Sequence, residues 1–250
     1  MLKSKLLLII IYFCILSVAK SQTTQEIYHK YIEAIGGEDA IKSINSIQLN
    51  GILQTLNSPP EKTIVYRKRK ELYRKETYRD TVMYSCDCYD GKYFWRLWEN
   101  SANPKNVTSS QNTNKAWTID DDAGGMSLFN ELIEFQHYGS RIHKEEEVEE
   151  NNKEYNVIRL TRRNLSMVDF YINKSTYLVD KTVEINSDDE SRSYTLIDEY
   201  KKIGNLLIPH RSKMYMMGYL FSTTVYNKIL LNPILTDSLF KCEKEKKSTF

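Results

Sequence analysis

Alternating apolar and polar positions dominate the sequence from residue 46 onward. Ile47, Leu49 and Leu53 illustrate the pattern, because alternate side chains share one face of an extended chain, as in a half-buried strand. Similar runs rich in Val, Ile, Thr and Tyr follow, separated by turn residues at hairpin intervals. The predicted strands are residues 46–55, 63–70, 75–88, 92–99, 155–163, 167–172, 178–186, 191–203, 206–217 and 220–231. The pattern therefore predicts a long antiparallel meander.

Two segments have helical periodicity instead. Residues 25–35 carry apolar side chains at spacings of three and four, with Thr24 as the predicted N-cap and Gly36 at the predicted end. Residues 127–138 repeat this periodicity. Residues 144–150 are strongly charged and are predicted to be a connector between elements. The chain is thus predicted to begin with a helix and to place a second helix in mid-chain.

A meander of this length must curl or be covered, because a flat sheet with an exposed apolar face aggregates. The two helices are available as covers. The 18 Tyr, 8 Phe and 3 Trp residues provide a large apolar area, and their polar edges suit the mouth of a cavity. The predicted fold class is mainly β (α+β), a half-open antiparallel β-barrel or curved sheet covered by the N-terminal and mid-chain helices around a hydrophobic pocket.

Residues 1–21 have the layout of a signal peptide. A short basic head precedes an apolar stretch over residues 6–18, and the small residues Ala19 and Ser21 occupy the positions that a signal peptidase reads. The apolar stretch is shorter than the roughly 20 residues that a membrane-spanning helix needs. Cleavage before Gln22 and secretion of the mature chain are therefore predicted.

The predicted mature chain is close to electrical neutrality. The full sequence has 35 basic and 33 acidic residues, and the predicted leader contains Lys3, Lys5 and Lys20. Such a balance argues against nucleic-acid binding, which needs a concentrated positive field. The length suits one β domain over residues 22–242, followed by a polar tail over residues 243–250.

The sequence has no recognisable catalytic or metal-binding motif. Gly-x-Ser-x-Gly, His-Glu-x-x-His and phosphate-binding glycine loops do not occur in it. Cys86 and Cys88 lack the second cysteine pair or histidine cluster of a metal site. A disulfide from one of them to Cys242 is possible after export, with the third cysteine left over. We therefore expect a protein with no enzymatic activity, metal ion or cofactor, and a secreted hydrolase without a familiar motif is the less favoured alternative.

Several phrases in order along the chain resemble the superfamily of LolA-like and LolB-like proteins, periplasmic carriers and outer-membrane receptors of lipoproteins. These phrases are residues 31–40 leading into 44–51, residues 89–92 followed by Trp95, residues 168–172 running to 177–178, residues 198–201, residues 207–209 and residues 229–240. The resemblance implies an incompletely closed antiparallel barrel whose apolar interior, covered by helices, holds acyl chains. It also implies a location in the Gram-negative periplasm, with association to the outer membrane as an option.

The leading hypothesis is a monomeric periplasmic carrier that shields the acyl chain of a lipid or lipoprotein and delivers it to an outer-membrane or other envelope protein. The alternative is an interaction module of the envelope whose barrel is filled by its own side chains. The candidate cavity-lining residues are large apolar side chains of the predicted elements: Ile47, Leu49, Leu53, Trp95, Phe170, Tyr194, Leu196 and Phe221 on strands, and Leu128, Leu132 and Phe135 on the second helix.

Overall fold

A computed structural model of the protein describes residues 22–92, 94–98, 129–185 and 193–241, with Trp95 and Trp98 described in their backbones alone. The predicted leader, the predicted tail, Leu128 and Cys242 lie outside the described residues. No helix in the described part of the chain is long and apolar enough to cross a membrane.

The chain begins with α1 (Thr24–Ala34) and the short α2 (Glu38–Lys42). Thr23, rather than the predicted Thr24, caps α1, and Glu26 completes a capping box. Thr23 Oγ1 accepts a hydrogen bond from the Glu26 backbone N–H at 3.2 Å, and Glu26 Oε2 accepts one from the Thr23 N–H at 2.8 Å. Thr24 has a different contact, because its Oγ1 accepts a hydrogen bond from the Lys144 N–H at 2.9 Å and so ties α1 to the sheet.

Thr23→Ala is expected to lower the free energy of unfolding by about 1 kcal/mol, because the substitution leaves the N–H of Glu26 without its acceptor. Urea denaturation followed by circular dichroism measures the change. Thr23→Ser keeps the acceptor and should remain close to the wild type. Equal loss in both variants would show that the cap does not account for the effect.

Gly36 closes α1 at a point of close backbone approach. Its φ is +130°, and a Cβ atom at this position would lie 2.3 Å from the carbonyl oxygen of Asn205. The N–H of Leu207 donates a hydrogen bond to the carbonyl of Ile35 at 2.9 Å. A residue without a side chain therefore lets the end of α1 dock against the sheet.

Thirteen strands form one antiparallel sheet in the described part of the chain. They are β1 (Ser46–Thr55), β2 (Glu61–Lys68), β3 (Leu72–Arg79), β4 (Val82–Tyr89), β5 (Phe94–Trp98), β6 (Arg141–Lys144), β7 (Val148–Glu150), β8 (Lys153–Thr161), β9 (Met167–Asn173), β10 (Val179–Ile185), β11 (Ser193–Ile203), β12 (Leu206–Met216) and β13 (Tyr219–Leu231). The spatial order is β5-β4-β3-β2-β1-β13-β12-β11-β10-β9-β8-β6, and β7 also pairs with β8. Pairing of β1 with β13 joins the two halves of the meander.

The sheet curves around α1. Ile27 of α1 is completely buried in a cluster that contains Ile47 of β1, Ile158 of β8, Phe170 of β9 and Ile208 of β12. Strands that lie far apart in the sheet can share one core cluster with this helix only if the sheet bends. The predicted fold class, a mainly β, half-open curved sheet over an apolar interior, is thereby confirmed.

The outer face of β3 and β4 is covered by the end of the described chain, which includes a 3₁₀ helix at Asp237–Phe240. Phe240 is fully buried and packs with Cys86 and Cys88. Arg74 donates a hydrogen bond to the carbonyl of Leu239 at 3.0 Å. The outer face of this part of the sheet is therefore covered, and the inner face is left for a site.

Two predicted boundaries are wrong for local reasons. The predicted strand 75–88 is two strands, because Asp80 adopts a φ of +55° and β3 and β4 form a tight hairpin in which Arg79 pairs with Val82. The predicted connector 144–150 includes β7, because Val148 pairs with Tyr155. Charged side chains on this edge are compatible with a strand, since an edge strand exposes one side to water.

The predicted mid-chain helix over residues 127–138 is also wrong within the described residues. Residues 129–139, here called the turn segment, form successive turns rather than an α-helix. Several main-chain hydrogen bonds there span three residues, as from the Ile133 N–H to the Asn130 carbonyl (3.2 Å) and from the His137 N–H to the Glu134 carbonyl (2.9 Å). Asn130 also accepts from the Ile133 N–H through its side chain at 3.1 Å, a local bond that competes with helix formation.

Candidate functional site: a cavity between the first helix and the sheet

A cavity of about 360 Å³ lies on the inner face of the sheet, between α1, the turn segment and strands β1, β2 and β11–β13. Its lining consists of Tyr31, Ile35, Ile47, Leu49, Arg67, Phe129, Asn130, Ile133, Thr195, Ile197, Tyr200, Leu206, Leu207, Ile208, Pro209, Arg211, Ser212 and Tyr226. The volume lies near the lower end of the range for small-molecule sites. It suits one extended apolar group rather than several.

Aliphatic side chains, with Pro209 included, make up half of the lining residues. Ile47 and Leu49 project from β1, and Ile197 and Ile208 project from β11 and β12. Since apolar surface gains nothing from contact with water, such a wall favours an apolar ligand. No acidic side chain contributes to the lining within the described chain.

Three tyrosines are among the neutral polar groups of the wall. Tyr31 is buried, which raises the pKa of its hydroxyl, and it accepts a hydrogen bond from Asn130 at 2.7 Å. Burial also raises the pKa of Tyr200, whose hydroxyl donates to the carbonyl of Val179 at 2.8 Å. Burial has the same effect on the pKa of Tyr226. These hydroxyls therefore stay uncharged at neutral pH and keep the wall compatible with hydrocarbon.

The turn segment covers one side of the cavity and is held by an ion pair. Arg162, at the end of β8, donates two hydrogen bonds to Glu131 at 2.8 and 2.6 Å. The same guanidinium donates to both carboxylate oxygens of Glu184 at 2.9 Å. Burial by itself would lower the pKa of Arg162, but the two carboxylates raise it above its usual value. The cover is thus fixed to the sheet by a charged contact whose arginine is permanently protonated.

Two arginines line the cavity, and they differ in their hydrogen-bond and ion-pair partners. Arg211 is ion-paired, because it donates to Asp198 at 2.7 and 2.9 Å and lies 2.6 Å from a Glu199 oxygen. Arg67 donates from one terminal nitrogen to the carbonyl of Phe129 at 3.1 Å. The Nε of Arg67 is buried and has no hydrogen-bond partner.

Several solved structures have the same overall architecture. A LolA superfamily protein from Nitrosomonas europaea superposes with a TM-score of 0.61 at 16% identity, over 90% of this chain and 100% of that chain. A DUF1329 family protein from Desulfovibrio piger has a TM-score of 0.60 at 10% identity, over 88% and 98% of the two chains. A domain from Vibrio parahaemolyticus named for outer membrane lipoprotein sorting has a TM-score of 0.58 at 11% identity, over 86% and 94%.

The chain has a LolA-like fold. No protein-family model and no curated protein matches the sequence. At these identities the likeness establishes the fold, and the ligand must be inferred from the cavity.

The LolA-like fold brings only some of the predicted residues to the cavity. Ile47 and Leu49 line it. Leu132, Phe135 and Phe170 are buried in the surrounding core. Trp95 has no described side chain and Leu128 lies outside the described residues, so their predicted roles stay predictions.

The other four predicted residues lie elsewhere in the described structure. Leu53 lines a separate polar groove that also contains Glu61. Tyr194 stacks on Tyr215 with ring centroids 4.7 Å apart, Leu196 is half-buried outside the cavity, and Phe221 is 43% exposed near the β12–β13 turn.

The cavity residues that the sequence did not reveal include both polar and apolar side chains. Thr195 and Ile197 alternate with Tyr194 and Leu196 on β11, and apolar residues on both faces of this strand concealed which face is inward. The sequence does not identify Arg67 as a cavity residue, because a cation in a strand usually faces water. The helical pattern of residues 25–35 could have identified Tyr31 as an inward-facing aromatic.

A larger groove of about 630 Å³ lies between α1, α2 and the far end of the turn segment. Its wall contains charged pairs, including Lys42 with Glu38 at 2.8 Å and His137 with Glu71 at 3.1 Å. No group of three or more His, Cys, Asp or Glu side chains within the described residues is arranged to hold a metal ion. We therefore place the candidate site in the smaller, more apolar cavity.

Proposed function

We propose that this protein is a carrier of the bacterial envelope that binds the acyl chain of a lipid or lipoprotein in the cavity beneath α1. The observation that carries the proposal is the cavity itself, a partly open, mainly apolar pocket of about 360 Å³ between a helix, a covering segment and a curved sheet. The name of the Vibrio parahaemolyticus domain, which refers to outer membrane lipoprotein sorting, supports the same class of function.

Burial of hydrocarbon supplies enough free energy for this role. Each buried methylene contributes about 0.8 kcal/mol, so roughly ten methylenes contribute about 8 kcal/mol before the costs of association. Binding after those costs is moderate, which suits a carrier that must release its cargo. The signal-peptide pattern of residues 1–21 supports action outside the cytoplasm. We further propose that the carrier is monomeric, non-catalytic and periplasmic, and that it delivers its cargo to another envelope protein.

Titration with a fluorescent fatty acid tests the proposal. The emission is expected to rise on binding and to fall again when unlabelled hexadecanoate is added, because both ligands compete for one cavity. The alternative, an interaction module with a filled barrel, predicts no saturable signal. Protein that is folded by circular dichroism but neither binds the probe nor shows displacement would contradict the carrier proposal.

A further inference from the structure

Arg67 is an unusual group to find at the wall of an apolar cavity. Its Nε is buried and lacks an acceptor, and its only described hydrogen bond goes to one backbone carbonyl, that of Phe129. The side chain as a whole is half-buried, and no carboxylate among the described residues forms an ion pair with it, although buried or partly buried arginines such as Arg162 and Arg211 have one. A buried donor without a partner costs free energy, so its retention requires an explanation.

A second cation lies beside Arg67 on the inner face of the sheet. Val65 pairs with Lys75 and Arg67 pairs with Tyr73, so Lys75 is the diagonal neighbour of Arg67 across β2 and β3. Lys75 is half-buried and lines the polar groove next to the cavity, together with Glu61 and Asp87, rather than the cavity itself. No described side chain forms a hydrogen bond or ion pair with Lys75.

The charges that face Lys75 only partly compensate it. Asp87 is its cross-strand neighbour on β4, but the carboxylate of Asp87 is engaged by Arg96, at 2.5 and 3.1 Å. Burial lowers the pKa of Lys75, Asp87 opposes this shift, and Arg67 and Arg96 add to it.

Glu61 lines the same groove as Lys75, but its carboxylate accepts a hydrogen bond from the Tyr84 hydroxyl and lies 3.5 Å from the Arg79 guanidinium. Since both Asp87 and Glu61 are engaged by other arginines, this part of the inner face has an excess of positive charge.

The rest of the cavity wall offers no internal partner for Arg67. Its tyrosines are neutral, and the second arginine, Arg211, is already paired with Asp198 and Glu199. The aromatic ring of Tyr73 lies 6.0 Å from the Arg67 guanidinium carbon, a contact that stabilises a cation but satisfies no N–H donor. The Nε of Arg67 therefore has no internal acceptor in the described structure, although the residue lines the cavity.

We infer that the ligand is a single-chain lipid with an anionic head group, and that Arg67, assisted by Lys75, binds this head group while the chain occupies the cavity. The inference rests on the proposed function and names the class of its ligand. Carboxylate and phosphate oxygens match the geometry of a guanidinium, and such charge-assisted bonds are strong where water is excluded. An uncharged ester with the same chain would leave the Arg67 donors unsatisfied.

The test compares hexadecanoate with methyl hexadecanoate, which have the same acyl chain, by displacement of a fluorescent fatty acid. The wild-type protein is expected to bind hexadecanoate at least tenfold more tightly. Arg67→Gln should weaken hexadecanoate binding by roughly ten- to a hundredfold and change the ester by less than about twofold. Lys75→Gln should weaken hexadecanoate binding by a smaller factor. Lys62→Gln removes a cation from the exposed outer face of the same strand as Arg67 and is the matched control.

The outcomes separate this inference from the proposed function. Equal wild-type affinity for the acid and the ester overturns the anionic head group and leaves the acyl carrier standing. No binding of either ligand contradicts the carrier itself. Because Arg67 also holds Phe129, the folded state of each variant is checked by circular dichroism. If Arg67→Gln does not fold, the wild-type comparison and Lys75→Gln still decide the question.

Discussion

Arg162→Met is expected to lower the free energy of unfolding by about 3–5 kcal/mol, because it leaves the carboxylate of Glu131 buried without its partner. The two side chains are each only 9% exposed and are joined at 2.6 Å. The loss should be larger than for any exposed ion pair of this protein, since those are screened by water. Urea denaturation monitored by circular dichroism measures the difference between variant and wild type.

Two further variants separate the buried pair from its exposed neighbour. Glu184→Gln should cost no more than about 1 kcal/mol, because Glu184 is 43% exposed and remains solvated. Arg162→Met combined with Glu131→Leu should recover a large part of the lost stability, since an apolar pair carries no desolvation cost. An Arg162→Met variant within 1 kcal/mol of the wild type would contradict the assignment of this contact as the anchor of the turn segment.

Thr195→Trp is expected to weaken fatty-acid binding by at least about tenfold, because an indole at this position occupies space that the acyl chain needs. Thr195 lies on the cavity wall and is small and half-buried. A tenfold loss corresponds to about 1.4 kcal/mol, roughly the contribution of two buried methylenes. Fluorescent fatty-acid titration gives the ratio of the two dissociation constants.

Leu196→Trp is the matched control for this prediction. Position 196 is the next residue on β11, so its side chain points to the opposite face of the sheet. The fatty-acid dissociation constant of Leu196→Trp should remain within about twofold of the wild-type value, provided that both variants fold. Loss of binding in Leu196→Trp but not in Thr195→Trp would reverse the assignment of the inner face of β11.

The fold could be predicted from the sequence because local patterns determine most of it. The alternation through residues 46–55 gives β1 with the same bounds as the structure, and the apolar periodicity of residues 25–35 gives α1 to within a residue. The turn segment could not be predicted in the same way. Leu132 and Phe135 need only be buried, and successive turns bury them as well as a helix does.

The site was less accessible to sequence reasoning because it depends on contacts between distant segments. Two register irregularities, opposite Asn50/Gly51 of β1 and Met214/Tyr215 of β12, each place an extra residue in β13 and interrupt its simple alternation of faces. Leu53 lies on the same face of β1 as Leu49, but farther along the strand, where it lines the polar groove rather than the cavity. Arg67 becomes a cavity residue only because the turn segment arrives above it. Neither effect is encoded in a short stretch of sequence.

Native mass spectrometry tests the carrier proposal most directly. The full-length sequence is expressed in a Gram-negative host, and the protein is purified from the periplasm without detergent. The account predicts a protein mass increased by one single-chain anionic lipid, which organic extraction removes and added hexadecanoate restores. Protein that carries only its own mass, and that takes up no hexadecanoate when the acid is added, would contradict it.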